Sequence, residues 1–309
     1  MTRFGMIFPG QGSQTIGMLK KLAEMYSIVK ETFDEASSIL QYDLWHLVQK
    51  GPVEELNKTC KTQPAILTAS VSIWRIWKQQ GGKNPQFMAG HSLGEYSALV
   101  CAGVIGFLDA VSLVALRGTL MQHVIPVGGA AMAAIIGLDS TIVVNICTQV
   151  EQNQVVEVSS FNAPDQVVIS GHKAAVERVI TICKEIGAKK IFLLPISVPS
   201  HCKLMQPVAI QLSKILKKII FYTPRIPVIN NVDADVVHCP VNIRQALVRQ
   251  LYQPVRWTGI LKYLMNQNIK VLLEIGPGNV LTGLTKRNID SVFVSSINNP
   301  STLVAYIIQ

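Results

Sequence analysis

The sequence is short of charge. Of its 309 residues, 15% are Asp, Glu, Lys or Arg, against about 25% in an ordinary soluble domain. Its 28 Lys and Arg outnumber its 19 Asp and Glu, for a net charge of +9. The excess is nevertheless scattered in pairs, Lys20-Lys21, Lys189-Lys190, Lys217-Lys218 and Lys286-Arg287, and never gathers into a block. That excludes a disordered chain, a fibre and a nucleic-acid-coating tail, while still favouring a polyanionic partner over a cationic one. Cysteine pairs are also missing: Cys60, Cys101, Cys147, Cys183, Cys202 and Cys239 form no C-x-x-C. They read as small packed hydrophobes in a reduced, cytoplasmic protein. The N-terminus reaches Pro9-Gly10 too soon for a signal peptide, and the longest apolar stretch, Ser97 to Leu116, is broken by Asp109, so a soluble protein is expected.

What the chain has is apolar residues, 49% of the total, and enough length to bury about 75% of its unfolded surface. Arg3 to Phe8 reads as a buried strand and Gln86 to Ala89 as a second, with helices over Ser27 to Leu40, Asp43 to Gln49 and Pro64 to Gln79, the last opened by its proline. Strand and helix alternation argues a parallel sheet covered on both faces. From Ala130 the rhythm becomes β-α-β-β-α-β: strands Ala130 to Leu138, Val155 to Phe161, Gln166 to Gly171 and Lys190 to Ile196, with helices Thr141 to Gln152 and Lys173 to Ile186. That is the ferredoxin-like order. Helices to about Lys218, at Val241 to Leu251 and at Trp257 to Asn266 follow, with strands Pro227 to Val232, Lys270 to Ile275 and Ser291 to Ser296. The expected fold is α/β: a large α/β-hydrolase-like domain with a parallel sheet, residues 1–123 and 198–309, plus an inserted ferredoxin-like βαββαβ subdomain, residues 124–197.

Gly90-His91-Ser92-Leu93-Gly94 matches G-x-S-x-G between a strand and a helix, the context in which this motif exposes a nucleophilic serine. The helix dipole and free backbone N–H groups there favour developing negative charge. Of the six histidines, His201 opens a helix where the main domain resumes and is by elimination the best general base for Ser92. No plausibly placed acid falls between them, and a long segment follows the histidine, which departs from the Ser, Asp/Glu, His order of the α/β-hydrolases. Arg117 follows an apolar helix face, so its guanidinium needs either a partner distant in sequence or a substrate carboxylate held bidentately. The Gly10-Gln11-Gly12-Ser13-Gln14 loop lacks the Lys-Ser/Thr of a P-loop and has Thr15 where G-x-G-x-x-G needs glycine. It suits an oxyanion hole as well as a phosphate cradle.

Phe-Pro-Gly-Gln-Gly-Ser-Gln at 8–14, Gly-His-Ser-Leu-Gly-Glu-Tyr at 90–96, Arg117, Val-Pro-Ser-His-Cys at 198–202, Val-Arg-Gln-Leu-Tyr at 248–252 and Glu-Ile-Gly-Pro-Gly at 274–278 occur in order. Together the chain resembles the bacterial stand-alone malonyl-CoA:acyl-carrier-protein transacylases of fatty acid synthesis over essentially its whole length. The resemblance implies Ser92 as nucleophile, His201 as its base, and Gln250 as the residue whose backbone carbonyl orients that base. It also implies an oxyanion hole from the N–H groups of Gln11 and Leu93, Arg117 as clamp on the malonyl carboxylate, and Asn162 near the acyl-CoA. Malonyl-CoA and an acyl carrier protein would be the partners, with no cofactor, metal, nucleic acid or membrane. Two positions depart from the family pattern: Ser160 stands where an Asn-x-Asn pair has its first amide, and Gln253 where Leu-Tyr-Asn-Pro-Val has asparagine. Alternatives are a related acyltransferase of secondary metabolism or polyketide synthesis with another acyl group or carrier, a hydrolase on the same elbow, or a non-catalytic scaffold that binds a carrier protein.

Overall fold

The computed structural model describes residues 3–126, 128–195 and 198–307. Its first strand, β1 (Phe4–Phe8), is followed by α1 (Lys20–Met25), α2 (Ser27–Leu40), α3 (Leu44–Lys50), α4 (Val53–Leu56) and α5 (Thr59–Gln79), then β2 (Phe87–Gly90), α6 (Leu93–Cys101) and α7 (Phe107–Gln122). The next stretch holds β3 (Ala130–Ile136), α8 (Ser140–Val150), β4 (Val156–Ala163), β5 (Gln166–His172), α9 (Lys173–Glu185) and β6 (Lys190–Leu193). A short 3-10 turn (Lys203–Met205) then leads through α10 (Gln206–Leu216), β7 (Val228–Ile229), α11 (Pro240–Gln250), α12 (Trp257–Asn266), β8 (Val271–Ile275), α13 (Val280–Asn288), β9 (Phe293–Ile297) and α14 (Pro300–Ile307).

Five strands form a parallel sheet in the order β7-β2-β1-β8-β9. Strand side chains alternate between faces, and both faces of β1 are apolar. Met6 and Phe8 join one buried cluster with helices including α5 and α6, while Ile7 joins another with Trp257 and Ile260 of α12. A central strand buried on both sides is what a near-continuous apolar run specifies in a parallel sheet.

The other four strands make an antiparallel sheet in the order β4-β5-β3-β6, the ferredoxin-like arrangement. Here the alternation divides the work. Ala133 and Ile135 of β3 pack with Val143 of α8 and Val179 of α9, whereas Met132 and Ala134 face the opposite way with Val168. Hydrogen bonds tie this sheet to the body that carries the parallel one. Val255 and β4 exchange backbone hydrogen bonds, Phe161 N–H to Val255 O at 2.9 Å and Val255 N–H to Ser159 O at 3.0 Å. Asn288 at the end of α13 donates to the carbonyl of Asn162 at 2.7 Å.

Several boundaries differ from those read in the sequence. Pro64 lies inside α5 rather than opening it. The added first turn holds because the Thr62 hydroxyl caps the carbonyls of Leu56 and Lys58, while Gln122 of α7 accepts the N–H of Cys60. β7 is only two residues long because the Asn230 side chain accepts the N–H groups of Val232 and Asp233 and turns the chain away. α1, α4 and α14 were not expected. For α14 the signal was Asn299-Pro300, a side-chain cap on Thr302 followed by proline at the first helical position. The expected end of β6 at Ile196 lies outside the described residues, and the strand is formed as far as Leu193.

Candidate active site

Because β1 and β2 are neighbours in register, Phe8 opposite Gly90, the loops that leave their C-terminal ends run side by side. That edge of an open α/β sheet is where ligands bind. The β1 loop contributes Gln11, and the β2 loop contributes Ser92 and Leu93, all lining one cavity of about 240 Å³. The turn from β2 into α6 is so tight that only glycine fits beside it. A Cβ on Gly90 would lie 1.9 Å from the backbone of Gly94, and one on Gly94 would lie 2.0 Å from the carbonyl of Phe8. Ser92 at the apex has φ 52 and ψ −108, a strained conformation for a residue with a side chain, costing of order 1–3 kcal/mol.

His201 reaches the same point from the other side of the cavity. It also has a left-handed φ, 63, and its backbone N–H is donated to Leu251 O at 2.9 Å. Its Nδ1 lies 2.6 Å from the carbonyl of Gln250 and its Nε2 lies 2.7 Å from Ser92 Oγ. A carbonyl only accepts, so Nδ1 carries the proton and Nε2 offers its lone pair to the serine hydroxyl. Burial, and next the charge of Arg117, pull the imidazole down to about 3, so the ring is neutral and ready to accept a proton at neutral pH.

Arg117 is 1% exposed and projects from α7 into the cavity. Its partners are distant in sequence, but both are amides rather than carboxylates: it donates to Gln63 Oε1 at 2.8 Å and to Gln250 Oε1 at 3.2 Å. Its guanidinium sits 5.4 Å from the centre of the Tyr96 ring, and its Nε has no partner. A buried cation held by neutral acceptors, with a donor to spare, is a receptor for an anion.

Gln250, fully buried at the end of α11, joins these groups. Beyond its carbonyl contact with His201, its amide donates to Ser92 O at 3.0 Å and to Glu95 Oε2 at 2.8 Å. Burial pushes the carboxyl of Glu95 up to about 7, against the opposing pull of the Gln250 and Asn231 donors and of Arg117. Asn162, from β4, also lines the cavity, with Oδ1 2.9 Å from Nε2 of His91. Burial lowers the pKa of His91, whose ring is tilted against Trp257. Ser160, where the family motif has an amide, lines the cavity as well, whereas Gln253 lines a separate groove on the far side of His201. The remaining wall is mostly apolar, with Met121, Met132, Ala134, Val168 and Leu194, and carries Ser13, Gln166 and Ser200 as further polar residues.

All seven residues singled out from sequence therefore meet at this cavity or brace its lining. Three others were missed. Gln63 holds Arg117, and its signal was a polar residue beside Pro64 in an otherwise apolar helix. Glu95 stood inside the serine motif, and Asn231 followed a buried strand. Neither carries a pattern that announces burial beside a nucleophile. Among the described residues no group of three or more His, Cys, Asp or Glu gathers as for a metal ion, and no helix is long and apolar enough to cross a membrane.

Known proteins resemble this chain along essentially its whole length. The family model for the acyl transferase domain matches residues 6–306. The chain is 58% identical over 308 residues to the malonyl CoA-acyl carrier protein transacylase of Escherichia coli K12, covering 99% of each. It is 41% identical to that of Bacillus subtilis 168, covering 98% of this chain and 96% of the relative. Among solved structures, an acyl carrier protein S-malonyltransferase from Vibrio cholerae superposes with a TM-score of 0.96 at 55% identity, covering 98% of this chain and 99% of that one. A malonyl-transacylase solved in complex with its type II PKS acyl-carrier protein gives 0.98 at 54% identity, covering 99% of each. Family model, whole-length identity and superposition converge, and the chain belongs to the acyl transferase family, among the malonyl CoA-acyl carrier protein transacylases.

Proposed function

We propose that this chain transfers a malonyl group from malonyl-CoA to the phosphopantetheine thiol of an acyl carrier protein, with Ser92 as nucleophile, His201 as general base and Arg117 as carboxylate clamp. The observation that carries the reading is the 2.7 Å contact between Ser92 Oγ and a neutral His201 in the same cavity as a buried guanidinium with no carboxylate partner. His201 Nε2 takes the hydroxyl proton as Oγ attacks the thioester carbon. The carbonyl electron pair moves onto oxygen, facing the N–H groups of Gln11 and Leu93. Collapse breaks the C–S bond, CoA leaves with the proton from His201, and malonyl-Ser92 remains. The carrier thiol then gives its proton to His201 and attacks the ester, the C–O bond breaks, and Ser92 recovers its proton. The Gln250 carbonyl fixes the tautomer in both halves.

Arg117 holds the carboxylate throughout. Its charge is also one of the causes that lower the basicity of His201. A malonyl carboxylate that offsets this charge makes the imidazole a stronger base just when a correct acyl group is present. An acetyl group gives no such benefit. The apolar wall restricts water, so that a thiol rather than hydroxide resolves the ester.

The antiparallel unit, residues 124–197, acts in this reading as one wall of the cleft, with 1–123 and 198–309 as the catalytic body. Six free cysteines support a cytoplasmic location, and the net positive charge suits two anionic substrates. The activity serves fatty acid synthesis. The likeness to a malonyl-transacylase complexed with a polyketide carrier favours a second reading, in which a carrier of secondary metabolism is also loaded. Incubation with malonyl-CoA and holo acyl carrier protein, followed by intact mass of the carrier, tests the proposal. A malonyl adduct on the carrier is expected; release of free malonate with an unmodified carrier would make the protein a hydrolase.

A further inference from the structure

Ser92 is held in its strained conformation by groups that belong to neither the nucleophile motif nor the base. α6 begins at Leu93, so the Ser92 N–H lies outside the helical ladder, and the carbonyl of Gly90 faces it across the turn. One side chain spans both. Asn231 Oδ1 accepts the Ser92 N–H at 2.6 Å, and Asn231 Nδ2 donates to Gly90 O at 2.6 Å. A backbone N–H only donates and a carbonyl only accepts, so the orientation of this amide is fixed. Asn231 is itself fully buried and clamped at both backbone groups. Its N–H goes to Glu95 Oε2 at 3.0 Å, and its carbonyl accepts from Arg256 N–H at 2.9 Å. The Asn230 turn that cuts β7 short delivers Asn231 to this point.

We propose that Asn231 is a positioning residue for the acyl transfer: its amide staples Gly90 to Ser92 and so keeps Oγ aimed at His201. The inference rests on the reading of Ser92 as nucleophile. It assigns to Asn231 an effect on the rate of Ser92 acylation and none on acyl-CoA binding, since its side chain meets the elbow backbone and, at 3.5 Å, the Gln250 amide, and does not line the cavity. Charged and titratable groups around it are Glu95 on its own N–H, Arg117 and His201 reached through Gln250, and the Asp233–Arg249 ion pair that follows it in the chain.

Two variants of the full-length protein test this, each checked for native circular dichroism. Asn231→Leu keeps the branched shape of the side chain and removes both hydrogen bonds. Its rate of Ser92 acylation by malonyl-CoA should fall about a hundredfold with KM changed less than about twofold. Asn231→Asp separates positioning from bulk. As a neutral acid it can donate to Gly90 O and accept from Ser92 N–H as the amide does, but as a carboxylate it repels Gly90 O. Its rate relative to the native protein should therefore recover as pH is lowered. Phosphorylation of Ser92 by diisopropyl fluorophosphate, in which the O–P bond forms, P–F breaks and the proton leaves through His201, reads the nucleophile without any acyl-CoA. If the native protein reacts with this reagent but takes no malonyl group, the proposed function fails and the reagent still tests Asn231. A raised KM with unchanged rate in Asn231→Leu, or a ratio of Asn231→Asp to native rates that does not vary with pH, would overturn the proposal.

Discussion

The two sheets meet at one cavity and contribute opposite things to it. The parallel sheet supplies backbone held in unfavourable conformations, Ser92 and His201 both at positive φ, and a buried polar network of Gln63, Glu95, Arg117, Asn231 and Gln250. The antiparallel sheet supplies a regular wall with apolar Met132, Ala134 and Val168 and with Ser160, Asn162 and Gln166 as its polar lining. The difference teaches where the chemistry sits. Strain and buried polar groups persist only where the surroundings over-determine them, and that condition is met at the ends of β1 and β2. Across the cavity, the same fold needs only shape.

The contrast can be broken by substitution. Ser92→Ala should abolish malonyl loading, a fall of about 10⁴-fold or more, measured as label transferred to the carrier, with thermal stability kept, since alanine retains the Cβ and leaves the elbow as it is. Arg117→Met should lower malonyl loading about a hundredfold through loss of the charge-assisted pair while changing acetyl loading far less. Equal loss for both acyl groups would make Arg117 structural. On the apolar side, Ile169→Val should cost about 1 kcal/mol of stability in denaturant melts and leave the turnover of folded protein within about twofold.

The smallest effect is on pH dependence. His201 drops from 6.5 to about 3 on folding, so the unfolded chain binds its proton first and this contribution to stability is lost as pH falls from 6.5 towards 3. Glu95 rises from 4.5 to about 7 and acts in the other direction, its contribution being lost as pH rises through that window. The two oppose each other between 4.5 and 6.5, and only the histidine acts below. Melts across this range should steepen below about pH 4.5, and His201→Gln should flatten that limb.

The same division explains what the sequence could reveal. The antiparallel unit was legible as β-α-β-β-α-β because its residues follow local rules, alternation in β3 and β5 and amphipathic spacing in α9. Ser92 was legible because glycine must flank so tight a turn, and Arg117 because a cation is conspicuous among apolar neighbours. Asn231, Glu95 and Gln63 were not legible, because their meaning lies in contacts between residues far apart in the chain, from 54 positions for Arg117 and Gln63 to 155 for Gln250 and Glu95. Pro64 misled for a similar reason. The turn before it is held by Thr62 and by Gln122 of α7, which no local pattern anticipates.

The central claim is a covalent intermediate on one serine. The native protein incubated with malonyl-CoA alone, quenched in acid and digested, should show a single malonyl adduct on the peptide carrying Ser92, absent from Ser92→Ala and discharged on adding holo acyl carrier protein. An unmodified Ser92 peptide with the malonyl-CoA still intact, or an adduct on another residue, would contradict it.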